Sequence, residues 1–278
     1  MLQVFLICAL FFTKDVLTQE CEADDQYPWS YHGPDNGPYY WDDNYPDCGK
    51  KDQSPIEINK KDILNLDLPQ LQYSGFDTLI SKATVLNLGW TVLIIPEDDV
   101  NRYITWGKNT FTLAEIHFHF GSEGDPGAEH VIDDIRYEME VHYVTHKEND
   151  PNAVAVVAAL MEANDDDNSA FSPITEVLSD VMYRNDSTEL KSELNLADLL
   201  PQDPGSYYYY EGSNSIPPCQ SGYAWLVLKN IGEVGKDQLD TFMTLYSVGK
   251  DDASDSCLMG PNYRPEQSLD HRPIFSSK

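Results

Sequence analysis

His117 and His119 stand two residues apart in LAEIHFHF, a run in which polar and apolar side chains alternate. Alternation at period two marks a half-buried strand, so Glu115, His117 and His119 share one face. Ala114, Ile116, Phe118 and Phe120 take the other, and their burial would fix the register. A second alternating run, YEMEVHYV, sets Glu138, Glu140, His142 and Val144 opposite Met139, Val141 and Tyr143. Antiparallel pairing of the two runs would bring His142 beside the first two histidines. Three neutral imidazoles leave the charge of a zinc ion undiminished and its fourth position open, which lowers the pKa of a bound water to about 7. Glu115 and Glu140 are placed to accept hydrogen bonds from the ligand imidazoles. Histidines with no ligand role fit the same spacing. The residues by themselves leave both readings open.

The elements that must hold these side chains are mostly strands. Strand-like runs cover 84–95, 111–120, 137–145 and 223–229. Residues 153–162, AVAVVAALME, fit a helix or a buried strand, and the β-branched Val154, Val156 and Val157 favour the strand. Ser172 is a candidate cap for a helix from Pro173, with Phe171, Ile174, Leu178 and Val181 along one side. Asp237 is a candidate cap for a second, carrying Leu239, Phe242, Met243 and Tyr246 at helical spacing. Residues 27–49, rich in Pro, Gly, Asp and aromatics, read as an irregular N-terminal wrap. With 278 residues, no repeat, no long linker and no βαβ alternation, the chain is expected to form one mainly β domain.

The apolar run LQVFLICALFF, residues 2–12, is too short to span a bilayer and suits the core of a signal peptide. Cleavage is expected near Thr18 or Gln19, so that residues 1–19 leave and residues 20–278 form an exported domain without a membrane span. Four cysteines then remain, Cys21, Cys48, Cys219 and Cys257, an even set that permits three disulfide pairings. Asn185 opens the sequon Asn-Asp-Ser in a polar stretch, a glycosylation signal that suits a surface loop. The net charge is −29, which repels nucleic acid and anionic membranes. Acidic pairs and runs such as Asp42-Asp43 and Asp165–Asp167 read as a solvated surface. Loose attraction of Ca²⁺ or a carbonate mineral is the sharper reading, and no EF-hand loop is present.

From about Trp29 onward the chain resembles the α-class carbonic anhydrases. The segments that carry the resemblance are WSYHG, NGPYYW, KDQSPIEI, EIHFHFGS, GAEHVIDDIRYEMEVHYVTH, SIPPCQSGYAW and NYRPEQSL, in that order. The resemblance implies one domain around a large twisted, mostly antiparallel sheet with a few short surface helices. It also implies reversible hydration of carbon dioxide to bicarbonate by metal-hydroxide attack. The zinc ligands implied are His117, His119 and His142, with Glu140 and Asn262 supporting them and Glu115 where a glutamine is usual. Glu129 matches a buried acid that accepts from a gatekeeper hydroxyl, here supplied by Ser215 in place of the usual threonine. Val144, Val156 and Trp225 match the apolar wall that receives carbon dioxide, and Tyr31 a tyrosine of the water network. In secreted members resembling this chain the positions of Cys48 and Cys219 are bridged, which leaves Cys21 and Cys257 to each other.

Departures from the pattern cluster at the cavity mouth. Trp90 lies where active members often carry a histidine proton shuttle, and indole does not titrate near neutrality. Asn214 replaces a leucine or aromatic residue, and Ile216 a small hydroxyl residue. An acidic matrix protein that binds calcium or carbonate mineral, with weak or no turnover, is the competing expectation.

Overall fold

Alternating apolar residues assemble most of the chain on one large sheet. The computed structural model describes residue 21 and residues 28–277, so the expected signal segment, 1–19, lies outside the described residues. Among these, thirteen strands belong to the sheet, whose centre is β1 (Val92–Pro96), β2 (Asn109–Phe120), β3 (Met139–Lys147), β4 (Asp150–Asn164), β5 (Tyr207–Ser213) and β6 (Ser221–Leu228). They lie side by side as β1-β2-β3-β4-β6-β5. The β4–β6 pair is parallel and the other four neighbouring pairs are antiparallel. The predicted single domain, mostly antiparallel, is the one observed.

The two faces of this sheet have different tasks. Ile116, Phe118 and Phe120 of β2 and Met139, Val141 and Tyr143 of β3 are buried in the larger core. That core also takes Val177 and Leu178 of helix α1 (Ser172–Leu178) and Leu239 and Phe242 of helix α2 (Lys236–Met243). Each such side chain contributes roughly 1.5–3 kcal/mol on burial. The opposite face of β2 and β3 is thereby left to the polar residues. Strand β4 feeds both cores: Ala155, Val157 and Ala159 enter one, Val156, Ala158 and Leu160 the other. Burial on both faces explains why AVAVVAALME shows no alternation, and it resolves that segment as strand.

Four local expectations are corrected. Residues 84–95 are two strands, Ala83–Asn87 and β1, joined by a turn in which the Leu88 N–H donates to the Thr91 carbonyl at 3.0 Å. Gly89 makes the reversal possible: its φ is +83°, and a Cβ there would meet the Ser247 carbonyl at 2.7 Å. Ala114 does not share the apolar face, because a bulge pairs Val144 with Glu115 but Thr145 with Leu113. Leu113 therefore packs on the core in its place. Ser172 lies inside α1, and the cap in this region is Asn168, whose side chain accepts from the Ala170 N–H at 3.0 Å. Asp237 sits in the first turn of α2 behind Gly235, while Gln238 accepts from the Gly235 N–H at 3.0 Å; Tyr246 lies beyond the helix end.

The N-terminal wrap is an irregular chain of short helical turns. Its Trp29 and Trp41 are buried with Cys48 and Cys219 in a small cluster of their own, against which Tyr31, Trp90 and Ile216 pack. Cys48 is bonded to Cys219 and Cys21 to Cys257, closing sequence separations of 171 and 236 residues. The first bridge ties the wrap to the loop that follows Ser215. No helix among the described residues is long and apolar enough to cross a membrane.

Candidate metal centre

The register of β2 against β3 sets His142 directly opposite His117, and Glu140 opposite His119. One nitrogen of each of the three histidines lies within 4.8 Å of the others. All three rings are buried, His119 completely.

The tautomers of His119 and His142 follow from what each ring touches. His119 Nδ1–H donates to the backbone carbonyl of Asn262 at 2.7 Å. Its Nε2 therefore carries a lone pair, and that atom is buried without a hydrogen-bond partner. His142 Nε2–H donates to Glu140 Oε1 at 2.7 Å, which leaves Nδ1 as the lone pair. That Nδ1 lies 3.1 Å from His117 Nε2, within hydrogen-bond distance, while His117 Nδ1 makes no hydrogen bond among the described residues and lies 3.5 Å from Glu115 Oε1. Nitrogens of all three rings thus converge on one point, and a cation there would take the place of the hydrogen bond between His117 and His142. Burial and the neighbouring imidazoles hold His119 down at about 3 and His142 at about 4, so protons do not compete for the lone pairs near neutrality. Zinc prefers neutral imidazole nitrogens in this number, with a carboxylate or carbonyl behind each ring. The donor set fits zinc.

Behind the histidines runs a buried polar network. Burial pushes the Glu140 carboxyl up, but His130 and His142 outweigh it and hold the group well below the usual range. His130 Nδ1 meets Glu140 Oε1 at 2.6 Å, and its Nε2 lies 2.7 Å from the Tyr210 hydroxyl, which reaches Ser54 Oγ at 2.9 Å. His130, Glu140 and His142 also approach one another closely enough to suggest a metal group. They satisfy each other by hydrogen bonds, so they form a support for His142. The Asn262 side chain accepts from the Phe120 N–H at 2.7 Å and donates to the carbonyls of Trp90 and Phe118 at 2.8 and 2.9 Å. It is the backbone carbonyl of Asn262 that faces the ring of His119, while its side chain pins β2.

Glu129 is fully buried, and its Oε1 accepts from the Arg264 N–H at 3.1 Å. Burial pushes its carboxyl up, against the pull of His142 and of the Ser215 hydroxyl bonded to it. Ser215 itself opens onto a cleft of about 120 Å³. His117 and His142 form one side of that cleft, with Trp90, Glu115, Val144, Val156, Asn214, Ile216, Tyr223 and Trp225 around them. The indole of Trp225 stands 5.0 Å from the ring of His142.

Comparison with known proteins agrees with this arrangement. Residues 36–278 match the family described as eukaryotic-type carbonic anhydrase. The chain belongs to that family. It is 30% identical over 265 residues to carbonic anhydrase 6 of Bos taurus, covering 91% of this chain and 81% of that one. Human carbonic anhydrase 12 is 31% identical over 265 residues, with 90% and 73% covered. Carbonic anhydrase 3 of Sus scrofa is 29% identical over 261 residues, with 90% and 98% covered.

For a carbonic anhydrase, the sequence-predicted residues gather almost completely. Tyr31 is the exception among the pocket residues: it lies behind the cleft, its ring 6.4 Å from that of His119 and its hydroxyl buried without a hydrogen-bond partner. His32, the histidine of the wrap, puts its Nε2 3.1 Å from the Met259 carbonyl and does not line the cleft. Asn185 is exposed in a turn with φ 70°, as a sequon on the surface should be. Two residues were not anticipated. Tyr223 reaches the cleft because it precedes Trp225 by two on β6, a parity the sequence did contain. His130 follows Glu129 directly in the AEH segment, but its role depends on a fold that sets it behind Glu140.

Proposed function

We propose that this chain is an exported, zinc-dependent carbonic anhydrase that interconverts carbon dioxide and bicarbonate. The observation that carries the reading is the convergence of three buried imidazole nitrogens from His117, His119 and His142 beside an apolar-walled cleft. A zinc ion held by Nε2 of His117, Nε2 of His119 and Nδ1 of His142 would supply the Lewis acidity that lowers the pKa of a water ligand to about 7.

The chain's own residues do the rest. Glu140 and the Asn262 carbonyl fix which nitrogen of His142 and of His119 carries its proton. Ser215, with Glu129 behind it, presents one hydroxyl oxygen at a set position; accepting there orients the attacking oxygen toward the substrate carbon. Val144, Val156 and Trp225 offer no strong hydrogen bond and so suit carbon dioxide, which has no charge and no donor. Trp90 cannot take up a proton, so protons leave the cleft through solvent or small buffers. Two disulfides fit an oxidising compartment, in line with removal of residues 1–19 on export and a glycan on Asn185.

The test is zinc content and stopped-flow hydration of carbon dioxide on the purified protein. One zinc per chain with activity that a chelator removes supports the proposal. A protein with full metal and no hydration would contradict it.

A further inference from the structure

Glu115 holds the one acidic or basic side chain, apart from the two histidines, among the described residues that line the cleft. It precedes His117 by two on β2, so both side chains emerge on the same face, and its Oε1 lies 3.5 Å from His117 Nδ1. The side chain is 35% exposed, so water reaches it without surrounding it. Across the strand pair it faces Val144, and no lysine or arginine among the described residues lines the cleft to bring a counter-charge. Its field reaches the far side: the Tyr223 phenol is pushed up first by burial and then by Glu115.

We propose that Glu115 acts as an electrostatic filter that admits neutral ligands to the cleft and weakens the hold on small monovalent anions. The inference rests on the reading of this cleft as the carbon dioxide site. Carbon dioxide has no net charge and meets no penalty, whereas bicarbonate and anionic inhibitors meet a fixed negative charge beside their binding position. The consequence for the enzyme is weak retention of its anionic product and low sensitivity to inhibition by anions. A neutral amide at this position would keep the same approach to the His117 ring, so the charge is a feature separate from that contact.

The experiment uses the full chain with cobalt(II) in the metal site, whose visible spectrum reports ligand binding directly. Thiocyanate is the anionic probe and imidazole the neutral one. Glu115→Gln should bind thiocyanate about tenfold more tightly, the effect of removing one unit charge several ångströms away at intermediate dielectric. Imidazole affinity should stay the same, which also shows that the variant cleft is intact. Asp251→Asn, on an exposed turn outside the cleft, removes the same charge from the surface and should leave both affinities unchanged. If Glu115→Gln does not load metal, Glu115→Ala takes its place with the same expectation. Unchanged thiocyanate affinity in a variant that binds imidazole normally would overturn the filter, as would an equal gain in Asp251→Asn. A wild-type chain that takes up no metal would instead overturn the functional reading itself.

Discussion

His117 Nε2 and His142 Nδ1 lie 3.1 Å apart on adjacent strands, and Glu140 leaves the second of them as an acceptor by taking the proton on Nε2 of the same ring. His117 can donate a proton to that acceptor, and a metal ion bound between the rings would replace the hydrogen bond. The strands are held in this register by the cores on either side. The approach of the two rings is therefore set by packing elsewhere, and metal uptake should stabilise the whole fold.

Removing the Ser215 hydroxyl should lower turnover while leaving zinc in place. Its oxygen touches Glu129, and none of the histidine contacts depends on it. Loss of one orienting hydrogen bond is expected to cost about 10²-fold in kcat/KM. Stopped-flow assays of Ser215→Ala with metal analysis check this. An unchanged kcat/KM would show that another group, with Asn214 the nearest by chemistry, orients the nucleophile.

Proton export should limit the maximal rate, because Trp90 stands at the cleft and His32 is engaged with the Met259 carbonyl outside it. The rate should sit well below the roughly 10⁶ s⁻¹ that such a site can reach. It should rise with imidazole concentration, and Trp90→His should raise it in dilute buffer. The kcat/KM value should stay nearly independent of buffer. A high kcat insensitive to buffer would contradict the assignment.

Much of this site was legible in the sequence because strand alternation is a strong constraint. Once Ile116, Phe118 and Val141 must face a core, the histidines must face the other way, and antiparallel pairing brings them together. Less legible was everything that depends on contacts between distant segments. The bulge at Ala114 and the hairpin at Gly89 are set by neighbours that local pattern does not reveal. The buried support of Glu140 by His130 and Tyr210 needs the fold to be known first, since 80 residues separate those two. The helix caps were misassigned because Ser172 and Asp237 have the right type, but Asn168 and Gln238 have the geometry.

The Cys48–Cys219 bridge should support stability and the site together, because it joins the wrap that carries Trp29 and Trp41 to the loop after Ser215. Replacing both cysteines with serine should cost about 2–5 kcal/mol. Urea unfolding followed alongside kcat/KM measures the two effects. A variant as stable and as active as the parent would remove the bridge from the account.

Acid sensitivity should have one identifiable source far from the metal. Asp98 and Arg102 form a pair whose side chains are only 7% and 2% exposed. The hydrogen bonds from Arg102 hold the Asp98 carboxyl below its ordinary range. A depressed folded pKa means that the unfolded chain binds the proton more readily, so this stabilisation is complete above the ordinary carboxylate range. It fades as the pH falls through about 4 toward the folded value. Asp98→Asn should be less stable than the parent at neutral pH, and the gap should narrow as the solution is acidified. Urea midpoints at several pH values test this, and a gap independent of pH would refute it.

The most direct test of the central claim is metal binding by a single-ligand variant. His142→Ala removes the Nδ1 donor, and Glu140 and His130, which group with His142 among the described residues, are committed to each other. Zinc per chain, measured after dialysis against a weak chelator, should be close to one in the parent and close to none in the variant. Hydration activity should be lost with it. A variant that retains one tightly held zinc and full activity would contradict the three-histidine centre.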